Sequence, residues 1–113
     1  GIHYVYGDTS SPVAKLSSMR TVIALAAQQG LKLDQVDYVA AYLNAPLEET
    51  VYMRAPPELK TEKVCLLKRA IYGLRQSGKR WYQTLCKHLL SHGFKQSKMD
   101  ACVFYKRQGA DYC

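Results

Sequence analysis

No apolar run in this chain is long enough to cross a bilayer as a helix, and no basic, apolar, small-residue leader opens it. The expectation is a protein with no membrane partner. Paired cysteines are missing too. Cys65, Cys86, Cys102 and Cys113 stand far apart with no Cys-x-x-Cys among them, which argues against zinc and for free thiols, some packed as small hydrophobes. Acidic residues are scarce in one half. Residues 60–113 carry three Asp/Glu against twelve Lys/Arg, net +9, whereas residues 1–59 carry six against four, net −2. Such a division suggests a face made for a polyanion, with a solvated basic surface as the alternative. No internal repeat or low-complexity tract is present.

What remains is the composition of an ordinary globular domain: 113 residues, 48% hydrophobic, 22% charged, net charge +7. That length makes one domain at most and can bury a core. Opening at Gly1 without Met suits a segment of a longer polyprotein. Gly1–Pro12 is polar and turn-rich, so a loop or frayed end is expected. Met19, Val22, Ile23, Ala26 and Ala27 follow helical spacing. A helix is therefore expected from near Ser17 to Gln29, capped by Ser17 or Ser18 and stopped by Gly30. Alternation from Leu31 to Val36 predicts a strand leading into Asp37. Ala40–Asn44 reads as a short helical turn stopped by Pro46.

Further on, Val51–Arg54 and Val64–Lys68 suit strands, joined by a loop in which Pro56 and Pro57 cannot donate to a ladder. Tyr72-Gly73 turns the chain. A second helix should run from Ser77 to His92, with Trp81, Leu85, Cys86 and Leu89 as its apolar stripe and Gly93 as its stop. Cys102–Tyr105 should begin a hairpin that turns near Gln108-Gly109 and returns through Tyr112-Cys113. The order of elements predicts an α+β fold. His88 and His92, i and i+4 on that helix, could share a metal, but no third ligand is evident; a solvent-facing pair on the last turn is the simpler reading.

Two stretches could carry chemistry. Lys68-Arg-Ala-Ile-Tyr-Gly-Leu-Arg-Gln-Ser-Gly-Lys-Arg-Trp-Tyr82 places five cations and three aromatics around a glycine turn that opens an amphipathic helix. Cations suit phosphates and flat rings suit bases, so this is the chemistry of a nucleic-acid contact. Asp37 closes an apolar stretch ahead of a small-residue turn. An aspartate so placed can bridge the hard cations that nucleotidyl transfer needs, because the reacting oxygens are anionic. It can equally be a cap or turn former.

Asp37-Tyr-Val-Ala-Ala-Tyr-Leu-Asn44 is similar to the Asp-Val-Lys-Thr-Ala-Phe-Leu-Asn segment of the reverse transcriptases of Ty1/copia-type retrotransposons. Other blocks resemble that family in the same order. They are Pro12-Val-Ala-Lys-Leu16 with Arg20, Pro46-Leu-Glu-Glu-Thr-Val-Tyr-Met53, Leu67 to Gln76 followed by Arg80-Trp-Tyr82, and His92-Gly-Phe94 with Ser97 to Phe104. Together they cover nearly the whole chain, and five in order make chance implausible. The resemblance implies the fingers and partial palm of a polymerase: an antiparallel sheet with packed helices, ending before the family's Asp-Asp hairpin, with residues 1–113 as one partial reverse transcriptase domain.

It also implies roles. Asp37 would be the first of three metal-binding carboxylates, holding two magnesium (or manganese) ions with help from the carbonyl of Tyr38. Tyr42 would pack under the incoming sugar and exclude a 2′-hydroxyl, and a core aromatic is its alternative. Lys15 and Arg20 become candidates for triphosphate or template, and Arg75, Gln76, Lys79, Arg80 and Trp81 for nucleic acid. The partners implied are an RNA or DNA template-primer, deoxynucleoside triphosphates and the rest of a Pol polyprotein, in cytoplasmic virus-like particles or the nucleus. Departures are present. Ala45 stands where the family has Gly, Gly78 where it has Pro, and Glu58 interrupts a Pro-Pro-Gly-Phe loop, changes worth on the order of 1 kcal/mol each at turns. No Tyr-x-Asp-Asp occurs in these residues, and Asp100 reads as a turn residue before a strand. One carboxylate of three leaves two alternatives standing beside a polymerase segment: a non-catalytic nucleic-acid-binding module, or a decayed transposon relic.

Overall fold

The computed structural model describes residues 9–109 and 111–112. Two helices and three two-stranded antiparallel sheets make a small α+β architecture. The backbone gathers into two compact units, residues 1–10 with 40–84, and residues 11–39 with 85–113. The expected loop at Gly1–Pro12 lies mostly outside the described residues.

The first unit is built on a ribbon of β1 (Pro46–Arg54) and β2 (Val64–Arg69). Val51 faces Leu67, Tyr52 faces Leu66, and Met53 faces Cys65. Alternation puts Leu47, Val51, Met53, Cys65 and Leu67 on the more buried side, while Tyr52 and Leu66 stay exposed. Between the Pro46–Arg69 and Val51–Leu67 pairs, β1 spends five residues and β2 two, so β1 bulges. Pro46, with no N–H to donate, stands at the strand's first position. Beyond it the ladder continues, because Ala70 N–H donates to the Ala45 carbonyl at 2.9 Å. Both alanines are fully buried. Ala45 sits in extended backbone at φ −98°, so the expected penalty for lacking glycine there does not arise. The left-handed residue is Ala40 instead, at φ 51°. It precedes a 3-10 turn over Ala41–Asn44, the helical turn expected from the sequence.

After β2 the chain turns at Tyr72-Gly73, where Gly73 takes φ 96°. It then enters α2 (Ser77–Ser91). The buried Ser77 hydroxyl donates to the Ile71 carbonyl and fastens the helix start to that turn. At the other end Gly93 is left-handed, with its N–H on the Leu90 carbonyl and the Phe94 N–H on the Leu89 carbonyl. That double closure satisfies carbonyls the helix would leave orphaned.

The second unit holds α1 (Leu16–Gln29), which ends the same way. Gly30 is left-handed at φ 64°, and both its N–H and that of Leu31 reach the Ala26 carbonyl. The start differs from expectation. Neither Ser17 nor Ser18 is the cap; Lys15 is, and it supplies no side-chain hydrogen bond of its own. The Asp100 carboxylate takes that role from 85 residues away, accepting from the Lys15 N–H at 2.9 Å. Negative charge at a helix N-terminus meets the positive end of the backbone dipoles. The other carboxylate oxygen accepts the Cys102 N–H at 2.9 Å, so Asp100 is also the expected turn residue. Lys15 Nζ donates to the Met99 carbonyl beside it.

Packing on α1 is thin. Ala26 is its buried residue, while Val22 and Ile23 of the expected apolar stripe are 47% and 57% exposed. The strand expected at Leu31–Val36 does not form: residues 31–38 are exposed and without regular structure. Alternation made the segment strand-competent, but a lone strand leaves its N–H and C=O groups unpaired, and no ladder among the described residues includes it. The hairpin is also redistributed. β3 (Lys95–Gln96) pairs with β4 (Phe104–Tyr105), and the turn at Gly109 instead joins β5 (Arg107–Gln108) to β6 (Asp111–Tyr112).

Hydrogen bonds from the Ser18 hydroxyl and from the Cys102 and Lys15 N–H groups, with the Lys15 charge nearby, hold the Asp100 carboxyl down at about 2. A depressed carboxylate pKa adds stability above its unfolded value near 4, and that stability is lost as pH falls through the folded value. Thermal melts of the protein should therefore weaken between about pH 4 and pH 2. Asp100→Asn should melt earlier at neutral pH and lose the part of that acid slope due to this group.

Candidate nucleic-acid interface

Each unit presents its own set of expected residues. In the first, Tyr42, Arg75, Gln76, Lys79, Arg80 and Trp81 gather on the 3-10 turn, the turn at Gly73 and the first turns of α2. The chemistry here begins with Arg80. Its side chain is 13% exposed, and its guanidinium grips two carboxylates of β1: NH1 lies 2.6 Å from Glu48, and NH2 meets Glu49 in a very short contact. NH1 also donates to the Gln83 amide oxygen. A planar fork matches carboxylates in this way, where an ammonium cannot. The hydrogen bond from Arg80 lowers the Glu49 carboxyl against a modest opposing effect of burial, and Glu49 in turn raises Arg80. Arg80, expected to contact nucleic acid, thus stands in an ion-pair cluster that pins the start of α2 to β1.

Gln76 is 9% exposed, and its side-chain oxygen is buried without a partner, as is Nε of Arg80 one turn along. Two orphaned polar atoms cost on the order of 1–3 kcal/mol each, so this corner of the unit is held at some expense. Lys68, Arg69 and Arg75 are exposed, and Lys79 and Trp81 half-buried. On the same unit the Tyr42 and Tyr72 rings lie nearly parallel, 6.5 Å between centroids. They line a mostly apolar cleft of about 540 Å³ with Ala40, Ala41, Leu43 and Ile71.

The second unit carries Lys15, Arg20, Asp37 and Tyr38. Asp37 and Tyr38 lie on the exposed stretch after α1, and Arg20 is exposed on the helix. Lys15 is drawn to Met99 and Asp100 as described. A two-ion centre needs about six hard oxygen ligands per ion. At Asp37 the expected set is one carboxylate and one neighbouring carbonyl, and among the described residues no three His, Cys, Asp or Glu side chains converge. These residues do not by themselves fit two ions. His88 near the end of α2 and His92 in the turn after it are exposed, with 4.2 Å between ring centroids, and His92 Nδ1 donates to the His88 carbonyl. Cys65, Cys86 and Cys102 are free thiols, and Cys113 lies outside the described residues. No helix among the described residues is long and apolar enough to cross a membrane.

The family profile described as "Reverse transcriptase (RNA-dependent DNA polymerase)" matches residues 1–112. The chain belongs to the reverse transcriptase family. Its relatives include the retrovirus-related Pol polyproteins from transposon TNT 1-94 of Nicotiana tabacum, 35% identical over 90% of this chain, and from transposon RE2 of Arabidopsis thaliana, 37% identical over 92%. The Ty1-BL Gag-Pol polyprotein of Saccharomyces cerevisiae is 36% identical over 80%. The chain spans 8%, 7% and 5% of those relatives' lengths. No solved structure matches it significantly. This reverse transcriptase segment thus resembles Ty1/copia-type Pol proteins, as its motifs implied.

Two contributors, Glu48 and Glu49, escaped the motifs. Glu48 and Glu49 were visible as an acidic pair in a strand, but their partner lies 31 residues on. Tyr72 was legible as one of the three aromatics around the glycine turn, but its near-parallel placement against Tyr42 was not. Arg80→Ala should lower stability by about 1 kcal/mol, since the carboxylates it leaves are themselves partly solvated. Added salt should shrink the difference, and Arg80→Lys should recover only part of it, read by denaturant melts.

Proposed function

We propose that this chain is the fingers and first part of the palm of a copia-type RNA-directed DNA polymerase, one partial domain within a Pol polyprotein. The observation that carries this reading is the family match across residues 1–112. Asp37 is assigned as one ligand of a divalent-metal site that further carboxylates of the longer protein complete, with the Tyr38 carbonyl beside it. Such ions supply Lewis-acid stabilisation of phosphoryl oxygens. The chain's own residues bind and orient. The Tyr42 ring meets the sugar of the nucleotide, Lys15 and Arg20 face triphosphate or template, and Arg75, Gln76, Lys79 and Trp81 hold the strand. The work would be done in cytoplasmic virus-like particles or the nucleus, on template-primer and deoxynucleoside triphosphates.

A second reading, a retained binding module, is favoured by the +9 balance of residues 60–113. The two readings part at primer extension. The isolated chain is expected to extend no primer with magnesium present. Extension that Asp37→Asn abolishes would mean these residues hold a complete catalytic set, against the single-carboxylate assignment. In a longer Pol segment containing the paired aspartates, Asp37→Asn should abolish extension; unchanged extension would remove Asp37 from the metal site.

Binding to single-stranded RNA should weaken steeply with salt. Arg75→Ala or Lys79→Ala should each reduce the slope of log K against log salt by roughly 0.7, whereas Arg80→Ala should leave it unchanged. Salt-insensitive binding would sink the phosphate contacts.

A further inference from the structure

Residues 31–36 alternate as a strand does, yet no ladder among the described residues includes them and all six are exposed. The Leu31 N–H is spent on the Ala26 carbonyl at 2.8 Å. Along a strand, successive residues aim their backbone groups to opposite sides. Once this segment is extended, Leu31, Leu33 and Gln35 share the side toward the end of α1. Lys32, Asp34 and Val36 then hold the outer edge, and an edge of this kind is a template for another strand. Leu33 also lines a mostly apolar cleft of about 800 Å³ with Met19, Val22 and Ile23 of α1. Each of these four is at least 47% exposed. Strand edge and apolar surface thus lie together within one unit.

The charges say what this edge fits. Lys32 and Asp34 lie 3.4 Å apart across Leu33, with side chains 85% and 68% exposed. Laid antiparallel against its own copy about a two-fold axis at Leu33, the segment sets every Lys32 opposite an Asp34. Those are also the pairs that exchange N–H···O bonds, on the edge that Leu31 leaves open. Leu33 then meets Leu33 as the closer, non-hydrogen-bonded pair, on one face with the cleft. Neighbouring registers fail. A slip of one residue sets Leu33 against Asp34. A slip of two sets Asp34 against Asp34 or Lys32 against Lys32, and like charges directly opposite destabilise a sheet.

We infer that residues 31–36 are a self-recognition edge through which two copies of this chain pair antiparallel into a closed dimer. A two-fold interface needs a patch that complements itself. A charge order that inverts about its central leucine meets that need, which an unrelated strand would have to match by accident. The charges set register and partner, while ladder bonds and the covering of the α1 face supply most of the affinity. None of the residues assigned to metal, nucleotide or nucleic acid takes part, so the inference stands or falls apart from the proposed function.

Sedimentation equilibrium of the 113-residue chain without nucleic acid tests it. The unsubstituted chain should show a concentration-dependent monomer–dimer equilibrium with no larger species. Asp34→Lys alone sets lysines against lysines, and Lys32→Asp alone sets aspartates against aspartates. Each should weaken dimerisation by roughly 10- to 100-fold, since two pairs lose attraction and gain repulsion. Mixed in equal amounts, the two variants should form a heterodimer in which every Lys faces an Asp. That rescue also shows that both variants fold.

A monomer at every concentration would overturn the inference. Protection of the Lys32 and Asp34 N–H groups from hydrogen exchange in that monomer would give the edge to another segment of the same chain. A dimer indifferent to both substitutions, or a mixture no stronger than its parts, would move the contact to another surface and overturn it as well. Open-ended aggregation would exclude a two-fold pairing.

Discussion

A single carboxylate organises the second unit. Asp100, 6% exposed, receives the Lys15 N–H on one oxygen and the Cys102 N–H on the other, and the Ser18 hydroxyl adds a third bond. Lys15 then bonds back to Met99. These contacts join the first turn of α1 to the turn before β4. Apolar packing could not do so here, because Ala26 is the helix's one buried side chain. Where few methyl groups leave water, directional bonds to a charged acceptor become the means of fixing geometry.

The first unit repeats that logic with the signs reversed. Arg80 is a cation held by two carboxylates of β1, and it sets where α2 begins. The consequence reaches the surface. A run of five cations reads as one basic patch, yet one of them is spent within the fold, and the polyanion-facing charge is correspondingly smaller.

Membership of the reverse transcriptase family explains why chemistry and fold are separable in this chain. Asp37 is exposed after α1, while Tyr42, Arg75, Lys79 and Trp81 belong to the other unit. The expected metal ligand and these expected recognition residues are therefore carried by separate units.

The sequence by itself determined what is local. Both helices fell within a residue of their expected limits, because periodicity and the glycines at 30 and 93 act over a single turn. The 3-10 turn before Pro46 and the pairing-competent strands around Pro56-Pro57 were equally plain, as was the family. Only tertiary structure decided what depends on distant partners. Leu31–Val36 has the alternation of a strand but finds no ladder, and Phe104–Tyr105 pairs backward to Lys95–Gln96 rather than forward. The cap of α1 comes from Asp100 and not from the adjacent serines. Arg80, indistinguishable in sequence from its cationic neighbours, is committed to Glu48 and Glu49. The reason is common to all four. Hydrogen-bond and charge partners are chosen by proximity in space, and spacing along the chain encodes that only within a few residues.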